Sequence, residues 1–574
     1  MKLAAVHGGF LVYFVAYCVF VISQWVNVSH SIDLVAYLDS GDAYWRGDFH
    51  NGINHYWSPM YSWILGAVLA IVKPDIAHEM VAVRSTNLAI MMFLYAAFVL
   101  YATTLWSGIT KKWLGEPGNA WLTKPIYWIF MYSVFCFSSL SFGGPEKDGP
   151  DVLTAGFAIL ASTAFLKIKF GKQSLSSFLF MGFSLGFGYL SKAIILPVSL
   201  FYYVATWWEM RREKFVWKKL ATAFGAEMLV ALPFILLISI TFGYPTISDA
   251  GRPMWLWCEE QSAQQVHFQF PELKHRSNII FKNPVVYEFE EPFHVTYSPW
   301  YNPGYWTQWV VDRDPIWRPL RWFSNNVSFF LSEIFSYLIG GVVLASLIMK
   351  RPCFTWSGLK EALPICAPAM VALGAYSVSA NLNGHMMERY FIAWTMLLYS
   401  AAMVALVASS SNQSAGKSAT IGKRTMLLSI AACMMIFTSA FYFYHLHIKQ
   451  QYPLPYDVMV ATKARELGLK PGDKIAQVGF RRYFWARLAR LRIVADIFDI
   501  SEFWAMDAAS REQLVDTLRK HGVKAIIQTW AIDVDLPEAG PGWVKVPNTK
   551  ARIFIIPPAE RNRAAAEKSD LPHK

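Results

Sequence analysis

Charge is scarce in this chain. Only 16% of its 574 residues are Asp, Glu, Lys or Arg, against roughly 25% in soluble globular proteins. That scarcity excludes a disordered polyelectrolyte and makes an ordinary soluble enzyme a poor fit. Cysteine is scarce too. There are six, and none has a spacing suited to zinc or to a disulfide framework. Five (Cys18, Cys136, Cys353, Cys366 and Cys433) sit in or beside apolar runs, and Cys258 lies in a loop. Nucleotide fingerprints are missing as well. The Gly-Lys-Ser of residues 416–418 has Ser411 where a P-loop needs its first glycine.

Apolar and aromatic residues are abundant, at 55% and 16% of the chain, and mean hydropathy is +0.29. Length alone would allow three or four soluble domains, but this composition predicts a polytopic membrane protein. A spanning helix needs about 20 mainly apolar residues. Eleven stretches qualify, at roughly 5–27, 82–108, 121–142, 152–168, 176–196, 197–210, 221–243, 327–349, 361–380, 391–410 and 425–446. Lys192 and Pro197 interrupt the fifth and sixth. The first run predicts an uncleaved span, since no small-residue cleavage pattern follows it. Met60 to Val72, between Pro59 and Pro74, is short for a crossing and suits an interfacial helix.

Net charge is +12, and its distribution matters more than its size. One alternating set of connections holds Lys111, Lys112 and Lys124; Lys167, Lys169 and Lys172; Arg211, Arg212, Lys214, Lys218 and Lys219; Lys350 and Arg351; and Lys417, Lys423 and Arg424. The opposite set, 28–81, 143–151, 244–326 and 381–390, carries acids and aromatics. The positive-inside rule then predicts a cytoplasmic N-terminus and an extracytoplasmic C-terminus. The positive balance gives no reason to invoke nucleic acid. From about Gln450 the pattern changes to short strands alternating with helices, which predicts a small α/β domain over 450–558 and a charged tail over 559–574. No G-x-G-x-x-G accompanies these strands, and the chain shows no internal repeat.

Four stretches carry candidate chemistry. The first outer loop holds Asp33, Asp39, Asp42 and Asp48 among aromatics. Asp33 and Tyr37, four apart, share a helix face, and a carboxylate held among aromatic walls at the membrane surface suits a general base. Capping is the competing role, and Asp42 and Asp48, each after a glycine, suit turns. Asp151 follows Pro150 at the start of an apolar run, where a helix dipole also favours an acid. Lys192 is a cation inside an apolar stretch, which marks a site unless it snorkels. Glu388, Arg389 and Tyr390 precede another apolar run, and Arg389 with Lys192 suits an anion such as a phosphate. His50, His55 and His385 form no metal pattern.

In this order, the pieces resemble the polyprenyl-phosphate-dependent glycosyltransferases of the GT-C fold. They look most like the bacterial branch of the protein O-mannosyltransferase and lipid A aminoarabinose-transferase superfamily. The family's first-loop Asp, Tyr, Gly-Asp, Asn and Trp-Ser-Pro-x-Tyr match Asp33, Tyr37, Gly47-Asp48, Asn54 and Trp57-Ser58-Pro59-Met60-Tyr61. Its Pro-Asp, Leu-Thr-Lys and Arg-Tyr look like Pro150-Asp151, Leu190-Ser191-Lys192 and Arg389-Tyr390. Residues 244–253 and 288–306 look like its extracytoplasmic loop. Better-known members have Asp-Glu where Leu34 follows Asp33, which leaves the base open between Asp33 and its neighbours.

The resemblance implies sugar transfer from a polyprenyl-phosphate-linked donor to a glycan, lipid or protein acceptor, in the inner membrane, on its outer face. Asp33 and Asp151 would be catalytic, and Lys192 and Arg389 would hold the donor phosphate. Tyr37, Asp48, Asn54, Trp57, Tyr61, Glu388 and Tyr390 would contact substrate. No cofactor is implied, and a divalent metal is left open. A lipid or polysaccharide transporter is the competing class, although matched halves and paired broken helices are missing from the sequence.

Overall fold

The computed structural model describes residues 3–25, 33–116, 119, 121–171, 173–250, 277–289, 294–301, 354–377, 388–410, 417–449, 456–479, 483–529 and 540–558. The predicted span at 327–349 and the tail at 559–574 lie outside them. The apolar runs that are described form helices. These begin with α1 (Leu3–Trp25), α2 (Asp33–Trp45), α3 (Phe49–Gly52), α4 (Pro59–Val72) and α5 (Glu79–Lys112). Next come α6 (Lys124–Cys136), which continues as a π-helical turn (Phe137–Ser141), then α7 (Asp151–Lys169), α8 (Leu175–Ser191), α9 (Ile195–Met210) and α10 (Val216–Phe242).

A short α11 (Ser298–Tyr301) precedes α12 (Trp356–Ser377). A 3-10 turn (Glu388–Phe391) then leads into α13 (Ile392–Ser410), and α14 (Lys417–Lys449) follows. Among the described residues, seven helices are long and apolar enough to cross a membrane by length and composition: those built on α1, α5, α7, α10, α12, α13 and α14. The shorter α6, α8 and α9 occupy three further predicted spans.

The break between the fifth and sixth predicted spans falls at Lys192, whose backbone is extended (φ −158°, ψ 124°). Pro197 then lies in the first turn of α9, where its missing N–H costs nothing. The short apolar piece predicted as interfacial is α4, which begins at Pro59 and packs against α2. Their backbones touch: a Cβ on Gly66 would lie 2.5 Å from the Gly41 carbonyl oxygen.

The end of the chain forms α15 (Tyr456–Glu466), β3 (Lys474–Val478), α16 (Phe484–Leu488), β4 (Arg492–Ile497), α17 (Ile500–Ala505), α18 (Ala508–Lys520), β5 (Ala525–Gln528), β6 (Trp543–Lys545) and β7 (Arg552–Ile555). Central β3 is flanked in parallel by β4 and β5, as a βαβ order requires. One boundary needs correction, because the sheet is not confined to 450–558. Two strands from the long middle loop, β1 (Ser277–Lys282) and β2 (Val285–Phe289), complete a seven-stranded order β1-β2-β4-β3-β5-β7-β6. Val286 pairs with Ile497, so this insertion covers the edge that β4 would otherwise leave open.

The sheet domain docks on the first loop through charge. Arg487, at the end of α16, pairs with Asp39 (2.9 Å), Asp42 (2.6 Å) and Glu79 (3.1 Å). Arg490 pairs with Asp42 (3.2 Å) and Glu79 (2.9 Å). Asp39 also accepts from the Thr296 backbone N–H and hydroxyl. Burial opposes the Arg487 charge, but Glu79, Asp42 and Asp39 outweigh it, so its pKa stands above the ordinary guanidinium value.

Candidate active site

Neighbouring helices α7 and α8 run antiparallel, so the first residue of α7 and the residue after α8 meet at one end of the bundle. Those residues are Asp151 and Lys192, with Nζ 2.5 Å from Oδ1. The 3-10 turn before α13 brings Arg389 to the same place. Its guanidinium is 3.1 Å from Asp151 on one side and 3.1 Å from Asp33, the first residue of α2, on the other. The four residues singled out for chemistry therefore form one row: Asp33, Arg389, Asp151, Lys192. Two anions and two cations balance. Side-chain exposures of 19%, 16%, 6% and 24%, in that order, leave Asp33 and Lys192 most open to an entering molecule.

Aromatic rings wall the cationic end. Lys192 Nζ lies 3.6 Å from the Tyr390 ring centroid, and Tyr390 stacks on Tyr376 at 4.7 Å. A small pocket beside them is lined by Asp151, Thr154, Tyr376, Arg389, Tyr390 and Trp394. Glu388 faces Lys147 at 3.8 Å. Arg389 also donates to the Asp148 carbonyl (3.2 Å), while the Asp148 carboxylate is locked by Arg84 at 2.6 Å, with both side chains fully buried. Asn87 fixes the same loop by donating to the carbonyls of Pro145 and Lys147.

The remaining first-loop candidates lie beneath the row or away from it. Tyr37 is buried, with edge contacts to Trp57 (5.1 Å) and Tyr61 (5.2 Å), and burial holds its phenol well above the ordinary value. Tyr61 is buried and donates to Asn87 (2.8 Å). These rings support the site from below; they are not an open stacking surface. Asp48 caps α3 by accepting from the Asn51 backbone N–H. The Asn54 side chain is consumed by Tyr56 N–H, Trp57 N–H and the Tyr301 carbonyl. Asp39 and Asp42 belong to the Arg487 cluster, which leaves Asp33 as the first-loop carboxylate in the row.

Sequence reasoning missed Arg84, Tyr376 and Trp394. Arg84 carried a signal, as a cation inside a predicted span. Tyr376 and Trp394 carried none, being two aromatics among many. Among the described residues, no group of three or more His, Cys, Asp or Glu is placed to hold a metal ion.

The far end of the bundle is chemically different. There Lys112 and Lys169, at the ends of α5 and α7, share Glu361, and Lys169 also holds Glu209.

No protein-family model matches the chain, and no curated protein matches it in sequence. Among solved structures, ArnT from Cupriavidus metallidurans bound to undecaprenyl phosphate is similar over 95% of this chain and 98% of its own, with a TM-score of 0.51 and 13% identity. The apo state of the same protein is similar over 96% and 98%, with the same score and identity. The likeness is one of fold: the chain has the GT-C architecture, a helical membrane bundle carrying a C-terminal sheet domain.

Proposed function

We propose that this chain is an integral-membrane glycosyltransferase that moves a sugar from a polyprenyl-phosphate carrier to an acceptor hydroxyl. The observation that carries the reading is the row Asp33–Arg389–Asp151–Lys192 at one end of the bundle. ArnT, which shares the fold, was solved with undecaprenyl phosphate, a carrier of this class. The basic residues at the opposite end fit a cytoplasmic face, which supports reading the row as an extracytoplasmic site. A transporter would keep its polar groups near mid-membrane, whereas these gather at one end.

The chemistry follows from competition for the two cations. An entering phosphodiester offers oxygens to Arg389 and Lys192 in place of their carboxylates. Asp33, displaced from Arg389, then accepts the acceptor's hydroxyl proton. The acceptor oxygen bonds to the anomeric carbon as the carbon–oxygen bond to phosphate breaks. That electron pair leaves on the phosphate, where Lys192 and Arg389 stabilise it. Asp151 stays between the cations, orients them and faces the positive charge developing on the sugar.

Comparing cell-envelope glycans by mass spectrometry, with and without the chain, identifies the sugar and acceptor. Asp33→Asn is then assayed in proteoliposomes with that donor. Transfer is expected to fall at least about 100-fold, as for loss of a general base; full retained activity refutes the assignment.

A further inference from the structure

We infer that Arg487, on the soluble sheet domain, is a positioning residue for the reaction at Asp33, so that the sheet domain is a working part of the transferase and not an appendage. The inference rests on the reading above that Asp33 takes part in transfer.

Helix α2 carries Asp33 together with Asp39 and Asp42. Its 13 residues span about 20 Å and turn about 100° per residue. Asp39 and Asp42 therefore lie within about 60° of each other, on the far side of the helix from Asp33. Asp33 faces Arg389 of the membrane bundle, and Asp39 and Asp42 face Arg487 of the sheet domain. The helix is gripped from opposite sides by two parts of the protein far apart in sequence. Close packing adds a third constraint, since Gly41 leaves no room between α2 and α4. These two grips, together with the packing on α4, set the rotation and height of α2.

Arg487 is the central member of the outer grip. It is buried, at 3% exposure, and its three nitrogens reach three different carboxylates. One of these, Glu79, begins α5, the long helix that also carries Arg84. Arg487 thus links the start of α5 to α2 and holds both against the sheet. A lysine keeps one charge but cannot present a three-way fork. Where bound geometry sets the rate, a displacement of about 1 Å costs on the order of 100-fold.

The test uses the full chain, in nanodiscs for exchange and binding and in cells for product, as wild type, Arg487→Lys, Arg487→Met and Asp33→Asn. Three quantities are read: hydrogen exchange of residues 33–45, the Kd for undecaprenyl phosphate, and the envelope-glycan product in cells. Arg487→Lys is expected to quicken exchange in 33–45 at least ten-fold and to cut product at least ten-fold. Its Kd should stay within about two-fold of wild type, because Lys192 and Arg389 are untouched. Arg487→Met should do the same more strongly; if it does not fold, Arg487→Lys carries the test. Unchanged exchange in 33–45, or unchanged product with quickened exchange, overturns the inference. Unchanged product in Asp33→Asn refutes the transferase reading instead, and exchange then still decides whether Arg487 holds α2.

Discussion

Lys192, the residue after α8, donates to Asp151, the residue that begins α7, over 2.5 Å. The pair suits both helix dipoles, with an acid at an N-terminus and a base at a C-terminus. It also holds Lys192 in place before any ligand arrives. On the proposed reading, a phosphate would exchange one anion for another, so the cation would not be desolvated afresh. Lys192→Ala removes a charge-assisted bond of about 1.5–3 kcal/mol. Undecaprenyl phosphate affinity should then fall roughly 10- to 100-fold, measured by titration in nanodiscs, while acceptor dependence of transfer stays unchanged. Unaltered affinity removes Lys192 from the phosphate site.

Tyr390 separates shape from hydrogen bonding. The ammonium of Lys192 sits over its ring at 3.6 Å, and the ring is stacked on Tyr376. A cation over an aromatic face contributes about 0.5–2 kcal/mol. Tyr390→Phe keeps the face and should bind undecaprenyl phosphate within about two-fold of wild type. Tyr390→Ala should lose roughly three- to thirty-fold. Equal losses in the two variants would assign the effect to the hydroxyl.

Much of this site was legible before the fold. Asp33, Asp151, Lys192 and Arg389 stood out because each is a charge at the edge of an apolar run, where burial makes charge expensive. Chain order could not show that all four form one row. Asp48 and Asn54 resembled substrate contacts, yet a short polar side chain in a turn finds backbone partners first. The β1–β2 hairpin was hidden for another reason. Its strands gain stability only by pairing with β4, about 200 residues later, so nothing local marks them as part of the soluble sheet. Arg487 was invisible too, since an arginine in a soluble helix is ordinarily solvated.

The sheet domain carries its own pH dependence. Asp496 is buried in β4, and burial pushes its carboxyl up to about 7, against the hydrogen bond from the Tyr297 hydroxyl (2.7 Å). A folded-state pKa above the unfolded value means that the native state holds the proton more tightly. The stability it contributes is fully present below about pH 4 and is lost as pH rises to about 7, at about 1.4 kcal/mol per pH unit. Asp496→Asn, a mimic of the neutral acid, should come closest to wild type in thermal unfolding below about pH 4 and exceed it at pH 8. A constant difference between the two pH values contradicts this origin.

Arg84 and Asp148 form the most deeply buried ion pair among the described residues, fully excluded from solvent and 2.6 Å apart. Its removal tests how far the site depends on its backing. Asp148→Asn takes the directly paired carboxylate from a buried guanidinium, at a cost of about 3–5 kcal/mol. The same residue's carbonyl holds Arg389, so the loop that shifts also carries the anchor of the row. Thermal unfolding in detergent should drop by several degrees, and undecaprenyl phosphate affinity should fall with it. The double variant Arg84→Met/Asp148→Leu removes both charges and should recover most of the stability, because burying an ion pair is itself costly. If binding recovers alongside stability, the pair acts only as packing beneath the loop. If stability returns and binding stays weak, Asp148 also sets the position from which Arg389 meets the phosphate.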